Sequence, residues 1–210
     1  MLNKEQIQLN KQEFISIVKS IKREGVDIEG LLNKLENSDF FVAPASTKFH
    51  CSFEGGLVQH SLNTYKNLRQ LCSVYAPEID NDSIIITALF HDFDKMNKYE
   101  KVFRNVKKYM PGGPKKDEGG TFDWVAESGY QTKEAKDRFV FSHHGHNSEY
   151  MTSTFIPLKL DESAAIVNHM GGTQEEGKMW DFTPMMERYP LAALLHVADF
   201  IACYIDEKVV

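Results

Sequence analysis

The chain has 210 residues, of which 42% are hydrophobic and 26% charged, and its formal net charge is −6. This length suits one domain with a buried core. The sequence contains no run of about 18 apolar residues, so no transmembrane helix is predicted. The acidic balance argues against general nucleic-acid binding, which depends on neutralising phosphates. Three widely spaced cysteines without a CxxC pair, and an amino-terminal stretch without a signal peptide's apolar segment, predict free thiols and a cytoplasmic protein that does not associate with membranes.

The first part of the chain has the apolar spacing of helices. A helix is predicted from Lys4 to about Glu24 and a second from Ile28 to Leu35. We interpret residues 1–40 as a helical preface packed on the core and residues 41–210 as the catalytic domain. Within that domain, the next predicted helix runs from Leu57 to Tyr75.

The segment from Ser83 to Phe93 is so apolar that a helix made from it has no wet face, yet it contains His91 and Asp92. The preceding Asn81-Asp82-Ser83 offers N-cap candidates. An ionised carboxylate in such a helix is costly unless a cation or hydrogen bonds compensate it. A divalent metal would do so, and imidazole with carboxylate is ordinary ligand chemistry for Zn, Fe, Mn and Ni. The alternative is a helix end where the histidine caps a carbonyl and the aspartate faces water.

Residues 99–131 differ in kind, with β-branched and aromatic residues on either side of the turn at residues 111–114. This pattern predicts a β-hairpin inserted between helices. Arg104, Lys107 and Lys108 accompany aromatic side chains on it. Such a combination could bind a nucleotide, with charge for phosphates and rings for a base. The alternative is a solvated hairpin whose aromatic residues pack on the body.

Helical character is expected to return near Lys133 and to pass through His143-His144. Further along, Pro190 stands where the last helix should begin. That helix has an apolar stripe with Asp199 at its edge, so this carboxylate can reach the core. The elements together predict a mostly α-helical fold with a small hairpin insertion.

Histidines and aspartates recur in a definite order along the chain. They are His60, His91-Asp92, His143-His144, His169 and Asp199. This order resembles the HD superfamily of metal-dependent hydrolases, whose signature is His, His-Asp and a distant Asp on separate helices of an α-helical core. The two further histidines resemble the branch that builds a dinuclear site. The resemblance covers roughly residues 45–207, and its specificity lies in the ordered set.

The resemblance implies a metal site made by His60, His91, Asp92 and Asp199. A second ion would bind His144 and His169, and Asp92 is the candidate for the bridging carboxylate. The related pattern His-Gly-x-x-Ser selects His144 over its neighbour His143. One or two divalent ions are expected, from Fe, Mn, Ni or Zn, with Mg as a further candidate.

Several neighbours are candidates for supporting roles. Lys95 follows His91 by four residues, which on one helix is the same face. The family pattern often has Lys there, and we expect it to contact a phosphate oxygen or to hold a carboxylate, and to act with Asp92 in catalysis. Asp94 departs from the family pattern, where a small residue is commoner. Three further histidines could hydrogen-bond the ligands from behind or face solvent: His50, His143 and His196.

The expected function is a metal-dependent phosphohydrolase that acts on a nucleotide or other small phosphate ester through a metal-activated water. Two alternatives stay open: an HD-fold diiron oxygenase, and a non-catalytic nucleotide-binding or regulatory HD module. The expected partner is a small phosphorylated molecule, and a homodimer is compatible with the sequence.

Overall fold

The computed structural model describes residues 2–171 and 182–208, and these residues are mostly α-helical with one small antiparallel sheet. The eight α-helices in these ranges are α1 (Lys4–Lys19), α2 (Ile28–Glu36), α3 (Gly56–Tyr75), α4 (Asn81–Phe90), α5 (His144–Ser153), α6 (Leu160–Asn168), α7 (Phe182–Arg188) and α8 (Pro190–Ile201). The strands are β1 (Tyr99–Tyr109), β2 (Lys115–Asp117) and β3 (Gly120–Thr132). The predicted fold class, mostly α with a small hairpin insertion, is confirmed.

The first two helices share a core with α4. Phe14 of α1 and Leu31 of α2 are fully buried in the same apolar cluster as Phe90, the last residue of α4. The rings of Phe14 and Phe90 meet edge to face, with centroids 5.8 Å apart. Burying each such side chain stabilises the fold by roughly 1.5–3 kcal/mol. The division of the chain at residue 40 stays a prediction, and the predicted domain end at residue 210 lies outside the described residues.

The first helix is shorter than the prediction to Glu24. It ends at Lys19, where the Ser20 hydroxyl donates a hydrogen bond to the carbonyl of Ile17 at 2.6 Å. The chain then turns away, and Arg23 forms an ion pair with Glu162 at 2.5 Å. The apolar spacing continued beyond the helix end because residues in this turn also face the core.

The helix before the His-Asp pair is buried on every side. All of its residues from Ser83 to Phe90 are buried, as the apolar run predicts. Its N-cap is Asp80, one residue before the predicted candidates, and the Asp80 carboxylate accepts a hydrogen bond from the Ser83 amide at 3.0 Å. Helices α3, α4 and α8 pack against one another around a second apolar cluster.

The chain leaves helical geometry just after α4. The His91 Nδ1–H donates to the carbonyl of Ala88 at 2.8 Å, and Asp92 then departs from helical angles with φ −106° and ψ 22°. In a continuing helix the Asp92 amide would use that same carbonyl. A short 3-10 turn, Phe93–Lys95, follows. The capping role considered for His91 is therefore found, but Asp92 is 2% exposed and does not face water.

The inserted hairpin is a three-stranded antiparallel sheet with strand order β1-β3-β2. In its long ladder, Tyr99 pairs with Thr132 and Tyr109 with Phe122. The strands are longer than the segments whose alternation suggested them, and most of their side chains are at least partly exposed. The sheet is an appendage between α4 and α5.

The segment after the hairpin differs from the prediction of a helix beginning near Lys133. It has a single 3-10 turn, Ala135–Asp137, and α5 begins only at His144. The Asn147 side chain accepts hydrogen bonds from the amides of Phe141 and Ser142 at 3.3 and 2.7 Å. These bonds hold the preceding chain in a turn and prevent an earlier helix start.

No single helix among the described residues has both the length and the apolar character needed to cross a membrane. One pair, Phe182–Arg188 with Pro190–Asp206, passes that test only when combined, and it is bent by 104° at the break.

Candidate metal centre

The six predicted ligands lie close together. They come from three helices, α3, α5 and α8, and from the residues that directly follow α4 and α6. His60 lies on α3, His144 is the first residue of α5, and Asp199 lies on α8. The pair His91-Asp92 and His169 directly follow the ends of α4 and α6. His60, His91, Asp92 and His169 are buried, while His144 and Asp199 are half-buried.

Two glycines permit close backbone approaches next to the centre. A Cβ on Gly56, the first residue of α3, would lie 2.0 Å from the carbonyl oxygen of Cys51. A Cβ on Gly145 would lie 2.2 Å from the carbonyl oxygen of Val167. Because only glycine fits there, α5 can approach the end of α6, and the ring centroids of His144 and His169 lie 4.9 Å apart.

The two histidines that follow helix ends are held in the same way. Nδ1–H of His91 donates to the carbonyl of Ala88 at 2.8 Å, and Nδ1–H of His169 donates to the carbonyl of Ile166 at 2.7 Å. A carbonyl can only accept, so the Nδ1 tautomer is fixed in both rings and Nε2 keeps its lone pair.

The other two histidines are held by carboxylates. His60 Nδ1 lies 3.1 Å from Oε1 of Glu207, and His144 Nδ1 lies 2.5 Å from Oδ1 of Asp94. A carboxylate behind a ligating imidazole orients the ring and raises its basicity toward a metal. In all four rings Nδ1 therefore lies beside a carbonyl or carboxylate oxygen, and Nε2 is on the side of the common centre.

The Nε2 atoms approach one another closely. His60 Nε2 and His91 Nε2 are 3.1 Å apart, and His169 Nε2 is buried with no hydrogen-bond partner among the described residues. Two such nitrogens stay this close only with a proton or a cation between them. At metal–ligand bonds of about 2.0–2.3 Å, ligands of one ion lie roughly 3 to 3.5 Å apart, which agrees with this spacing.

The two oxygens of Asp92 divide between two pairs of histidines. Oδ1 lies 2.6 Å from Nε2 of His144 and 3.6 Å from Nε2 of His169. Oδ2 lies 3.4 Å from Nε2 of His60 and 3.5 Å from Nε2 of His91. A carboxylate with one oxygen facing each pair has the geometry to bridge two ions.

Asp199 closes the side of the centre that faces His60. Its Oδ1 lies 3.2 Å from Nε2 of His60 and 4.0 Å from Nε2 of His91. The thiol of Cys203 donates to the same oxygen at 3.3 Å. Two of the three sets whose ligand atoms lie within 4.8 Å of one another consist of predicted ligands: His60, His91 and Asp199, and His91, Asp92 and His169. The third set is His50, His60, Cys203 and Glu207. The buried His/Asp clusters could bind a metal ion, and imidazole with carboxylate fits a divalent transition metal.

Burial and neighbouring charges set the protonation of the ligands. Burial opposes the charged form of His60, but the carboxylates hydrogen-bonded to it outweigh burial and raise its pKa to about 10. Burial lowers the pKa of His91 to about 3, so this imidazole is neutral near pH 7. Burial would raise the pKa of Asp92, yet Lys95 and His91 hold it well below the usual value. A cation bound at His60 would replace a proton there.

Lys95 reaches the centre by a different route from the one predicted. Because α4 ends at Phe90, Lys95 is not one helical turn beyond His91; it lies on the 3-10 turn Phe93–Lys95. Its Nζ nevertheless donates to Oδ2 of Asp92 at 2.5 Å. Burial would lower the pKa of Lys95, but Asp92 raises it above its usual value. The side chain therefore brings a fixed positive charge to the pocket.

Asp94, which departs from the family pattern, is 2% exposed and contacts two basic side chains. Its Oδ1 pairs with His144 and its Oδ2 accepts from Nζ of Lys98 at 2.7 Å. Its amide donates to the hydroxyl of Ser148 at 3.2 Å. The carboxylate thus positions His144, which accounts for an acid at this place.

The remaining predicted histidines surround the centre unequally. The His50 ring lies 4.7 Å from the His60 ring between centroids, and Nδ1–H of His196 donates to the carbonyl of His169 at 2.7 Å. His143 is exposed at the N-terminal end of α5 and lines the pocket. All three border the pocket, but only His144 of the adjacent pair contacts Asp92.

The centre opens into a pocket of about 970 Å³. Charged residues that line it include Asp92, Lys95 and Asp199, which form its charged end, and aromatic residues that line it include Phe49, Phe200 and Tyr204. This volume is large enough for a nucleotide-sized molecule.

The structure does not bring the hairpin bases to this pocket. Among the described residues that line it, none is Arg104, Lys107 or Lys108. Lys107 instead pairs with Asp117, and Lys108 lies 2.5 Å from a carboxylate oxygen of Glu127, both within the sheet. Exposed ion pairs of this kind satisfy the lysines locally.

Glu207 is a site residue that the sequence reasoning missed. It holds His60, and it also accepts a hydrogen bond from the Asn63 side chain at 2.9 Å. A signal was present, because Asp199, Cys203 and Glu207 are spaced four apart and share one helical face. The chain after α8 continues as a π-helical turn, Ala202–Asp206, which is a common feature of functional sites.

Comparison with known proteins adds one relative. No family model matches the chain, and no solved structure matches it. The chain is 38% identical over 61 residues to the dihydroneopterin 2′,3′-cyclic phosphate phosphodiesterase of Methanocaldococcus jannaschii. The matched segment covers 27% of this chain and 24% of that protein. The chain therefore matches about a quarter of the length of this relative.

Proposed function

We propose that this protein is an HD-type metal-dependent phosphohydrolase that acts on a nucleotide or a related small phosphate ester. His60, His91, Asp92 and Asp199 would hold one divalent ion, and His144 and His169 a second one shared through Asp92. Bound divalent metals in such sites supply an activated water and neutralise charge on phosphoryl oxygens.

The observation that carries the proposal is the orientation of the four imidazoles. Every Nδ1 lies next to a carbonyl or a carboxylate oxygen, and the Nε2 atoms surround the same centre. The split of the Asp92 oxygens between two histidine pairs supports two ions over one. A site with only a packing or helix-capping role would not explain why the Nε2 atoms of several histidines are buried next to one another, since burying polar atoms without partners is costly.

The protein's own residues would then bind and orient the ester. Lys95 supplies an ammonium group beside Asp92, where it can donate to a phosphoryl oxygen. His144 is held by Asp94, so it presents Nε2 without rotating during turnover. The buried walls exclude bulk water from this end of the pocket, which strengthens each charge interaction.

The relative supports the reaction class. It is a phosphodiesterase whose substrate is a cyclic phosphate, and it is matched over only part of its length. Cyclic phosphodiesters accordingly belong among the candidate substrates together with phosphomonoesters.

The proposal is tested by metal analysis of protein purified without chelator, followed by two hydrolysis assays. Phosphate release is measured for nucleoside monophosphates, and chromatography detects opening of 2′,3′-cyclic nucleotides to their 2′- or 3′-monophosphates. We expect one or two bound divalent ions, and activity that chelation abolishes and added metal restores. Metal-free protein that hydrolyses these esters at full rate would contradict the proposal. Two bound irons with an oxygen-sensitive visible spectrum and no hydrolysis would favour the diiron oxygenase instead.

A further inference from the structure

The pocket has an aromatic wall next to its charged end. Phe200 and Tyr204 line the pocket and have exposed fractions of 53% and 65%. Their ring centroids are 4.5 Å apart with an interplanar angle of 34°, so the two rings form one continuous surface. Phe49 lines the same pocket from the loop before α3. Large rings left open to solvent inside a pocket mark a site for an apolar or planar ligand group.

This aromatic wall is fixed to the metal centre by covalent and hydrogen-bonded connections. Phe200 follows Asp199 in the chain, and Tyr204 follows Cys203, whose thiol donates to Asp199. The Phe200 ring also lies near the ring of His196, with centroids 6.4 Å apart. The wall therefore has a definite position relative to the charged end, as recognition of one extended molecule requires.

We propose that Phe200 and Tyr204 bind the planar heteroaromatic ring of the substrate, with Phe49 facing the same subsite. The inference rests on the proposed phosphohydrolase function and narrows its substrate class to phosphate esters that carry such a ring. Stacking on aromatic side chains tolerates different bases because every base has a π face. We therefore expect the aromatic wall to favour ligands that carry a planar ring over ligands without one, and not to discriminate between different bases.

The proposed ring subsite does not include the aromatic residues of the hairpin. The sequence suggested that aromatic residues of the hairpin could hold a base, but Trp124 there is not among the described residues that line the pocket. Its ring instead lies near Phe122 and the ammonium of Lys107. The aromatic pair beside Asp199 is the better placed platform.

The test compares AMP with ribose 5-phosphate, since these two molecules differ only in the base. Wild type, Phe200→Ala/Tyr204→Ala and the control Tyr75→Ala are loaded with metal and titrated by calorimetry, and phosphate release is measured in parallel. Tyr75 is 72% exposed and lies outside the pocket lining. Circular dichroism and metal content establish that each variant is folded and loaded.

Wild type and Tyr75→Ala should bind AMP about tenfold more tightly than ribose 5-phosphate, and the double variant should lose this difference. Equal binding of the two ligands by wild type, no binding of either, or an unchanged preference in the double variant would overturn the ring subsite. The result is separate from the fate of the hydrolase proposal. A ring preference in binding without phosphate release from AMP would support the subsite and contradict phosphomonoester hydrolysis, whereas equal binding and equal hydrolysis of both esters would support hydrolysis and contradict the subsite.

Discussion

At the scale of single residues, the centre depends on groups that lie behind the ligands as much as on the ligands. The six candidate ligands could be identified in the sequence from their order along the chain and from the short motifs around them. The sequence did not indicate Glu207, whose contact with His60 spans 147 positions. Local patterns carry no information on which distant side chain meets a given ring. In the sequence, Asp94 stood out only because the family pattern usually has a small residue at this position. Its contact with His144 explains why an acidic residue lies there.

Lys95 is predicted to contribute to turnover and not to metal binding. The Lys95→Ala variant should lose ten- to a hundredfold in kcat/KM on a phosphorylated substrate, since a charge-assisted contact is worth about 1.5–3 kcal/mol. Its metal content should equal that of wild type, because the lysine donates to Asp92 and is not a ligand. Steady-state kinetics and metal analysis measure the two effects separately.

Lys108→Ala is the matched control, since Lys108 pairs with Glu127 on the sheet away from the pocket. Its kinetics should equal those of wild type, in contrast to the increase in KM that a nucleotide-binding hairpin would produce. Full activity in Lys95→Ala would remove the anion contact from the account.

Glu207 is predicted to position His60 for metal binding. Glu207→Ala removes the carboxylate behind the ring and should weaken metal affinity by about ten- to a hundredfold, as for other carboxylates that hold a ligating histidine. Glu207→Gln keeps a hydrogen-bond acceptor and should recover part of the loss. Competition with a chromophoric chelator gives the affinities, and Glu134→Ala, at a side chain that is 76% exposed, serves as control. Equal affinity in Glu207→Ala and wild type would contradict this role.

At the scale of helices and strands, the order of elements followed from periodicity, whereas several ends did not. The buried helix α4 was predictable because its apolar run leaves no polar face. Its end at Phe90 depends on the ring of His91 taking a backbone carbonyl. The late start of α5 depends on the side chain of Asn147. Such side-chain contacts to the backbone compete with helix propagation, and propensity alone does not reveal which one prevails.

The first turns of α4 and α6 are joined through the buried carboxylate of Glu162, which also pairs with Arg23. The Glu162 side chain has no exposed area, and its oxygens accept from the two terminal nitrogens of Arg23 at 2.6 and 2.5 Å. The hydroxyl of Ser83 donates to the same carboxylate at 2.5 Å. This contact connects the chain after α1 to the first turns of both helices.

Arg23→Ala is predicted to destabilise the fold strongly, because it leaves the buried carboxylate of Glu162 without its cation. The expected loss in the free energy of unfolding is about 3–5 kcal/mol. Lys136→Ala removes an ion pair whose side chains are 74% and 76% exposed, and should cost less than about 1 kcal/mol. Urea denaturation of both variants measures the difference. Similar losses in the two variants would contradict the structural role of the Arg23 pair.

At the scale of the whole molecule, the helices form a body that assembles the candidate centre, and the sheet stands apart from it. The helical fold class could be predicted because several long segments on either side of the hairpin have helical apolar spacing or form a long apolar run. The assembly of the centre could not be predicted from periodicity, since it depends on close approaches at two glycines: Gly145 lets α5 approach α6, and Gly56 lets the loop at Cys51 approach the start of α3. The location of the hairpin bases away from the pocket likewise reflects long-range geometry that the sequence does not express.

We propose that divalent metal binds to the six side chains of the centre, which are His60, His91, Asp92, His144, His169 and Asp199. Anomalous diffraction from crystals grown with Mn²⁺ or Fe²⁺ tests it most directly. We predict a peak within bonding distance of Nε2 of His60 and His91, and a second beside Nε2 of His144 and His169, with Asp92 between them. A single peak near His60 and His91 would reduce the site to one ion. No peak in the centre, or one only on the hairpin, would contradict the account.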